Sequence, residues 1–518
     1  MARVLHHRVC MLRGGFVRLT IGQMMSAAAE RFASKVAVVA PDRSLTFEQL
    51  DRLSTKCALH FRALGIEPGD RVTIWMENGW RWMVAYYAVL KLGAVVNPCN
   101  ILLTADEVEF IVRDCRAKAV IAARQKGAEL RGRSNALLIT DGGQASTDLN
   151  FESLLNGPAE DGERFAAIDG ASTAAITYTS GTTGRPKGAM LSHSTIVLNT
   201  LMTAMMHGRS SNDVVVSALP CTHVYGNIVM NTAVLCGITL VLLPRFDEMD
   251  VLRALEAHRA TLFEGVPTMF LRLLNCAEFD RFDLSSLRIC TVGGQSMPVA
   301  KMEEAERRFG CRLIELWGMT ELGGLATTHP CNGPRRLGSI GVPLPLTEVK
   351  VTALGSRGDG VPRGEIGELL VRGPLVMQGY FGDEDLTRAA IDPEGWLSTG
   401  DVVRQDPDGY VYLIDRLKEV IISGGYNIYP AEVERVIGEH PAVAMVAVAG
   451  IQDGLKGQVP KAFIVLRAGA QCIGQEIIEY CRPQLASYKI PRAVSFCQDL
   501  PKTSSGKILR RALADSSI

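Results

Sequence analysis

Between residues 36 and 328, short apolar runs alternate with stretches of helical spacing, and few architectures accept that rhythm. Val36–Val39 reads as a strand. Residues 46–64 place Leu50, Leu53, Cys57 and Phe61 near one face of a helix. Gly69-Asp70 turns the chain into a strand at 71–76, Trp80–Leu92 reads as a helix ended by Gly93, and a helix at 105–115 precedes a strand at 119–122. Strands separated by helices imply parallel βαβ units, because a parallel neighbour needs a long crossover to bring the chain back. Residues 124–170, rich in Gly, Asp, Ser and Arg, read as surface connections, and the alternation resumes at Ala171.

A chain of 518 residues exceeds what one core holds, about 250–300 residues, so at least two domains are expected. Over 338–415 the helical patterns fade, and Gly-rich turns separate β-like runs at Glu348–Thr352, 368–372 and 410–414. From Lys418 onward helices at 431–438 and 475–482 mix with strands at 444–449 and 461–466. The expected fold is α/β. A large N-terminal domain at 21–417, built of parallel βα units with a small β-rich subdomain at 338–415, precedes a small mobile α+β C-terminal domain at 418–518. Residues 1–20 read as an extension without fixed structure. Residues 1–29 hold no acid but carry Arg3, Arg8, Arg13 and Arg18, a balance shared with organelle presequences; a disordered extension or an upstream start is the preferred reading.

Lys+Arg and Asp+Glu are equal at 55 each, so nothing in the charge balance points to a nucleic-acid surface. The 13 cysteines are scattered with no CxxC pair, which reads as buried thiols in a reducing cytoplasm rather than disulfides or a zinc site. Residues 214–244 contain no Asp, Glu, Lys or Arg, yet Pro220, His223, Asn227 and Asn231 make a lipid-facing helix costly. Two buried strands around a helix are expected there instead of a transmembrane segment.

The segment Tyr178-Thr179-Ser180-Gly181-Thr182-Thr183-Gly184-Arg185-Pro186-Lys187-Gly188 follows the apolar run Ala174-Ala175-Ile176. Glycines let backbone N–H groups approach an anion, and the hydroxyls and lysine add donors and charge, which suits a polyphosphate. A Walker A loop needs Gly before the Lys and Ser or Thr after it; Pro186 and Gly188 occupy those places. By composition alone a solvated hydroxyl-rich turn fits equally well.

This segment resembles the signature loop of the adenylate-forming superfamily, which includes acyl-CoA synthetases, firefly luciferase and peptide-synthetase adenylation domains. Further motifs follow in the family's order, and the resemblance covers roughly residues 20 to 515. Glu315-Leu316-Trp317-Gly318-Met319-Thr320-Glu321 resembles the motif in which an aromatic ring flanks the base, Thr320 holds the α-phosphate and Glu321 binds Mg²⁺, a hard ion that prefers oxygen. Many relatives have Tyr where this chain has Trp317. Ser398-Thr399-Gly400-Asp401 resembles the ribose-binding segment, since a carboxylate accepts hydrogen bonds from both hydroxyls. Asp415-Arg416-Leu417-Lys418-Glu419 resembles the segment in which Arg416 reaches the nucleotide and Lys418 is the hinge; many relatives have Gly in place of Asp415. In Pro501-Lys502-Thr503-Ser504-Ser505-Gly506-Lys507-Ile508 the resemblance makes Lys507 the catalytic lysine, an ammonium that relieves repulsion when carboxylate attacks α-phosphate.

What the resemblance implies is an AMP-forming acid–thiol ligase using ATP, Mg²⁺ and CoA. Ser423-Gly424-Gly425-Tyr426-Asn427-Ile428-Tyr429-Pro430 resembles the acyl-CoA synthetase form, in which backbone near the glycines lines the pantetheine path. Residues 450–460 and Tyr488-Lys489-Ile490-Pro491 agree with it. Leu219–His223, Gly265–Thr268 and Val292–Gly294 are the segments that surround the acyl group in relatives, with His223 near the carboxylate and Gly293 and Gly294 at the nucleotide side. Met269, Met297, Leu322 and Leu325 suit either an acyl channel or ordinary core. No Arg or Lys lies within these segments, which weighs against dicarboxylates. A medium- or long-chain fatty acid is the favoured substrate, and an aromatic or alicyclic acid is next. Two rivals remain at this point: an enzyme that loads a carrier protein, and a non-catalytic nucleotide-binding relic, against which the intact Lys507, Glu321, Asp401 and Arg416 count.

Overall fold

Local caps set the helix boundaries. Thr46 and Gln49 exchange hydrogen bonds in a capping box that starts the helix Phe47–Ala63, and Thr104 with Glu107 does the same for Ala105–Asp114. Gly93, at φ +80°, closes Trp80–Leu92 in the left-handed conformation that a side chain would resist. The computed structural model describes residues 19–141, 149–156, 165–179, 186–501 and 510–514. It divides into two compact units, residues 1–348 with 371–397, and residues 349–370 with 398–518.

The first unit holds two large sheets. In one, the strands Val36–Val39, Thr239–Leu242, Val214–Ser217, Leu262–Gly265, Ile289–Gly293 and Arg312–Met319 lie side by side and parallel. The antiparallel strands Ser44–Thr46 at one side and Gly324–Thr328 with Val342–Pro343 at the other complete nine. The second sheet has eight strands in the order Gly379–Tyr380, Lys187–Ser192, Thr173–Thr179, Val95–Pro98, Arg71–Trp75, Ala119–Ala123, Leu137–Asp141 and Leu149–Asn150. The expected parallel βα units are present.

The expected surface connections at 124–170 are corrected. Arg124–Leu130 is helical, and Leu137–Asp141 pairs in parallel with Ala119–Ala123. Ile139 and Phe151 are fully buried. A polar stretch here encloses a short strand in which Ile139 is fully buried and Leu137 and Leu138 are half-buried.

Every residue of Trp80–Leu92 except Arg81 is buried, the signature of a helix covered on all sides. Tyr86 donates to Asn227 Oδ1 and Tyr87 to Asn231 Oδ1, each at 3.2 Å, so the two asparagines of Val224–Cys236 find partners inside protein. That accounts for the uncharged run at 214–244, which forms strand, helix and strand as expected. Among the described residues no helix is long and apolar enough to cross a membrane.

The second unit carries a four-stranded sheet, Glu348–Thr352, Ile366–Arg372, Leu397–Gln405 and Val411–Arg416 in that order. A five-stranded sheet of Tyr426–Ile428, Ile421–Ser423, Gly457–Leu466 and Val443–Asp453, with Ala493–Phe496 beside Gly457–Leu466, follows it. The helices Pro430–Gly438 and Gly474–Cys481 bury Val433, Val436, Ile437, Ile477 and Cys481 in its own core.

Candidate active site

In the first unit, Thr173–Thr179 and Lys187–Ser192 form an antiparallel pair, with Thr179 opposite Lys187. The phosphate-loop residues Ser180, Gly181, Thr182, Thr183 and Gly184 lie outside the described residues. The ends of the loop are described, and they put Lys187 at the root of the returning strand. Gly188 owes its identity to packing: a Cβ there would stand 2.7 Å from Ile176 Cγ2 and 3.1 Å from the Tyr178 ring.

Glu321 sits in the single turn Thr320–Leu322 and is almost wholly buried, while Thr320 before it is half-buried. A segment 56 to 59 residues further on grips it twice. The Met377 N–H donates to the Glu321 carbonyl at 2.8 Å, and the Tyr380 hydroxyl donates to Glu321 Oε1 at 2.8 Å. The Lys187 ammonium lies 5.4 Å from the centre of the same Tyr380 ring. One tyrosine therefore joins the lysine and the carboxylate that the sequence assigns to phosphate and metal. Burial, reinforced by Glu321, pushes the Tyr380 phenol well above its ordinary range, so it acts as a donor. Neither residue's motif points to Tyr380; only the pairing of Gly379–Tyr380 with Lys187–Ser192 brings it there.

Trp317 is buried on Arg312–Met319, and a register shift follows it at Gly318. Gly318 cannot carry a side chain, since a Cβ would meet the Gly324 carbonyl oxygen at 1.9 Å. Gly293 is equally confined, by Leu316 at 2.2 Å, and Gly294 turns at φ +87°. These glycines are demanded by the backbone itself, whatever ligand contact they also make. Glu315, two residues before Trp317, is pushed up to about 8 by burial, although it accepts from the Gly338 N–H at 3.0 Å.

His223 is exposed and caps Val224–Cys236, its Nδ1 accepting from the Tyr225 N–H at 3.2 Å. In the neutral ring that bond leaves the proton on Nε2. Asn78 braces the preceding residues, donating to the Leu219 carbonyl and accepting from the Cys221 N–H, both at 2.9 Å. Behind these segments lies a buried polar network that sequence reading missed. Arg209 forms an ion pair with Glu264, which also accepts from Thr291 and, at 3.2 Å, from the Tyr225 hydroxyl. Arg209 lies outside the expected pocket segments, and the fold brings it against Glu264, next to Gly265, where the two charges pair. Arg209 Nε and Nη1 have no hydrogen-bond partner among the described residues. Met297 belongs to the phenylalanine-rich core with Phe263, Phe270 and Phe309, and Leu322 and Leu325 are buried.

In the second unit, Asp401 on Leu397–Gln405 stands opposite Arg416 on Val411–Arg416, and Arg416 Nε is 2.6 Å from Asp401 Oδ1. Asp401 is fully buried and the Arg416 side chain is 40% exposed, so the guanidinium reaches outward from a fixed anion. Thr399 donates to the Leu369 carbonyl and accepts from the Asp401 N–H, which fixes the turn that carries Asp401. Lys418 lies in the single turn Leu417–Glu419. Just before it, Asp415 accepts from the Arg416 N–H at 2.7 Å and the Ala431 N–H at 2.8 Å, and burial raises its carboxyl to about 6.

Gly424 and Gly425 are the two-residue turn between Ile421–Ser423 and Tyr426–Ile428, both with positive φ, as a tight hairpin requires. Tyr426 stacks on Tyr488 at 4.6 Å, and Lys489 pairs with Glu432 at 2.7 Å, so the two synthetase-like segments meet. Lys507 lies outside the described residues.

The family described as AMP-binding enzyme matches residues 25–381, and the AMP-binding enzyme C-terminal domain matches residues 432–507. The chain is 34% identical to the long-chain-fatty-acid–CoA ligase of Bacillus subtilis over 536 aligned positions, covering 96% of this chain and 94% of that one. The chain is an adenylate-forming acyl-CoA synthetase. Two solved acyl-CoA synthetases named for different acids are similar to this chain over nearly its whole length. The anthranilate CoA ligase in complex with anthranoyl-AMP matches with a TM-score of 0.89 and 28% identity, covering 96% of this chain and 97% of the other. The o-succinylbenzoate coenzyme A synthetase of Bacillus subtilis, in complex with ATP and magnesium ion, matches with a TM-score of 0.84 and 32% identity, covering 95% and 99%. Family membership is thus common to synthetases named for an alkyl, an aromatic and a keto-dicarboxylic acid, and does not choose among them.

Proposed function

We propose that the protein condenses a carboxylic acid with ATP to an acyl-adenylate and pyrophosphate, then transfers the acyl group to CoA with release of AMP. The observation that carries this reading is the cluster of Lys187, Tyr380 and the buried Glu321, an ammonium over the face of one tyrosine and a carboxylate on its hydroxyl, at the foot of the hydroxyl-rich loop. Residues 179–188 receive the β- and γ-phosphates, Thr320 the α-phosphate, and Asp401 with Arg416 the ribose. Glu321 would hold a magnesium ion, whose bound charge offsets that of the phosphates; a buried carboxylate suits that hard cation.

His223, with its proton on Nε2, orients the substrate carboxylate. Lys507 supplies the positive charge that lets carboxylate approach α-phosphate. A hinge at Lys418 then exchanges Lys507 for the 423–430 segment, which admits the CoA thiol. The first substrate to test is a medium- or long-chain fatty acid, in keeping with the Bacillus subtilis relative. A reducing cytoplasm is the proposed location, in keeping with free thiols at every described cysteine.

The network of Arg209, Glu264, Thr291 and Tyr225 favours a second reading, an aromatic or alicyclic acid with a polar substituent. Buried donors such as Arg209 Nε and Nη1, next to the segments expected to surround the acyl group, favour a substrate that hydrogen-bonds over a bare alkyl chain. Incubation with MgATP, CoA and a panel of fatty, aromatic and dicarboxylic acids, followed by mass spectrometry, decides between them. Acyl-CoA and AMP from fatty acids alone supports the first, and from substituted aromatic acids alone the second. Acyl-adenylate that persists in CoA moves the acceptor to another thiol, and no product from any acid refutes the catalytic reading on this panel. Lys507→Ala is expected to slow adenylate formation at least ~10²-fold while sparing thioester formation from supplied acyl-adenylate.

A further inference from the structure

The mechanism above gives Tyr380 no part, yet the fold spends several devices on placing it. Gly379 takes φ +140°, and a Cβ there would collide with Thr387 Cγ2 at 2.7 Å. The Tyr380 N–H donates to Thr387 Oγ1 at 2.9 Å, and its backbone pairs with Ala189, two residues beyond Lys187. The Met377 N–H ties the same segment to the Glu321 carbonyl. Backbone and side chain are thus both registered against the carboxylate.

The chemistry of the partner is informative. A buried carboxylate must have a hydrogen-bond donor, or it pays the full cost of lost water. An Arg or Lys there would cancel its charge and compete with a cation. A phenol satisfies one oxygen while leaving the carboxylate its full negative charge. The ring below Lys187 has a second effect: its negative face attracts the ammonium and restricts where that long side chain points.

We infer that Tyr380 is a positioning residue for nucleotide activation, its hydroxyl orienting Glu321 toward the magnesium ion of MgATP and its ring holding the Lys187 ammonium at the foot of the phosphate loop. The inference rests on the proposed roles of Glu321 and Lys187. It divides the residue into two separable parts. The hydroxyl governs the magnesium requirement, and the ring governs nucleotide affinity at any magnesium concentration.

Three full-length variants test it: Tyr380→Phe, Tyr380→Leu and Glu321→Gln, each first checked by thermal denaturation for an intact fold. ATP binding is measured by isothermal titration calorimetry across a series of free Mg²⁺ concentrations, with adenylate formation assayed in parallel. Tyr380→Phe is expected to raise the half-saturating Mg²⁺ about 10-fold, the scale seen when the group that orients a metal ligand is lost, with kcat recovered at high Mg²⁺. Tyr380→Leu is expected to show the same shift and, in addition, weaker ATP binding that Mg²⁺ does not restore. If Glu321→Gln shifts the Mg²⁺ dependence and Tyr380→Phe leaves it as in the wild type, Tyr380 is packing only and the inference falls while the Glu321 role stands. If Glu321→Gln itself leaves the Mg²⁺ dependence unchanged, the assignment of Glu321 fails and takes the inference with it.

Discussion

Glu321 in the first unit and Asp401 in the second are both buried carboxylates proposed to serve one nucleotide, but unlike partners hold them. Glu321 takes a hydrogen bond from a neutral phenol at 2.8 Å, whereas Asp401 is paired with a guanidinium at 2.6 Å. The difference matches the proposed ligands. A cation site needs the carboxylate's charge left intact, so its orienting donor must be neutral. A ribose diol is uncharged and asks only for acceptors in place, so an ion pair that locks Asp401 costs nothing in recognition. Two further buried carboxylates lack any such partner. Glu315 accepts from one backbone N–H and Asp415 from two, and both are raised, to about 8 and about 6. Burial favours the neutral acid, and the nearby charges of Arg335 and Arg510 offset it only in part.

The largest expected effect is at the charged member of the first pair. Glu321→Gln keeps the shape and the contact with Tyr380 but removes the charge, and adenylate formation at ordinary Mg²⁺ is expected to drop ~10²-fold or more. Stopped-flow measurement of pyrophosphate release checks this; a loss under threefold would break the contrast at its stronger end. Asp401→Asn is expected to raise the KM for ATP about 10-fold, the scale of one charge-assisted hydrogen bond, with the Mg²⁺ dependence unchanged. A shifted Mg²⁺ dependence in that variant would show that the two carboxylates do not divide their work as proposed.

Stability against pH sharpens the other side of the comparison. The unfolded chain releases the Glu315 proton near pH 4.5, while the native state keeps it to about pH 8. Between those values the native state binds more protons, so stability falls as pH rises and levels off above 8. Glu315→Gln can still accept from Gly338 and is expected to flatten that slope, worth on the order of a few kcal/mol, in chemical denaturation across pH 5 to 8. Asp415→Asn is expected to do the same on a smaller scale, in the window between the ordinary carboxyl value of 3.8 and about 6. If both variants keep the wild-type slope, burial is not what governs these two acids.

Much of this protein is readable from neighbouring residues. The strands Val36–Val39, Arg71–Trp75 and Ala119–Ala123 with the helices between them, the end of Trp80–Leu92 at Gly93, and the strand–helix–strand at 214–244 follow from short-range pattern, because periodicity and caps are properties of a few consecutive side chains. The order of motifs likewise suffices for the family. Long-range pairing is another matter. Tyr380 reaches Glu321 from 59 residues away, Arg209 meets Glu264 from a different strand connection, and Leu137–Asp141 joins a sheet from a polar stretch. Strand order decides each of these, and no local signal announces it. The sequence by itself determined the elements of strong local periodicity and the family resemblance. Only the tertiary structure decided which donor faces each buried carboxylate, because that depends on which strands the sheets make neighbours.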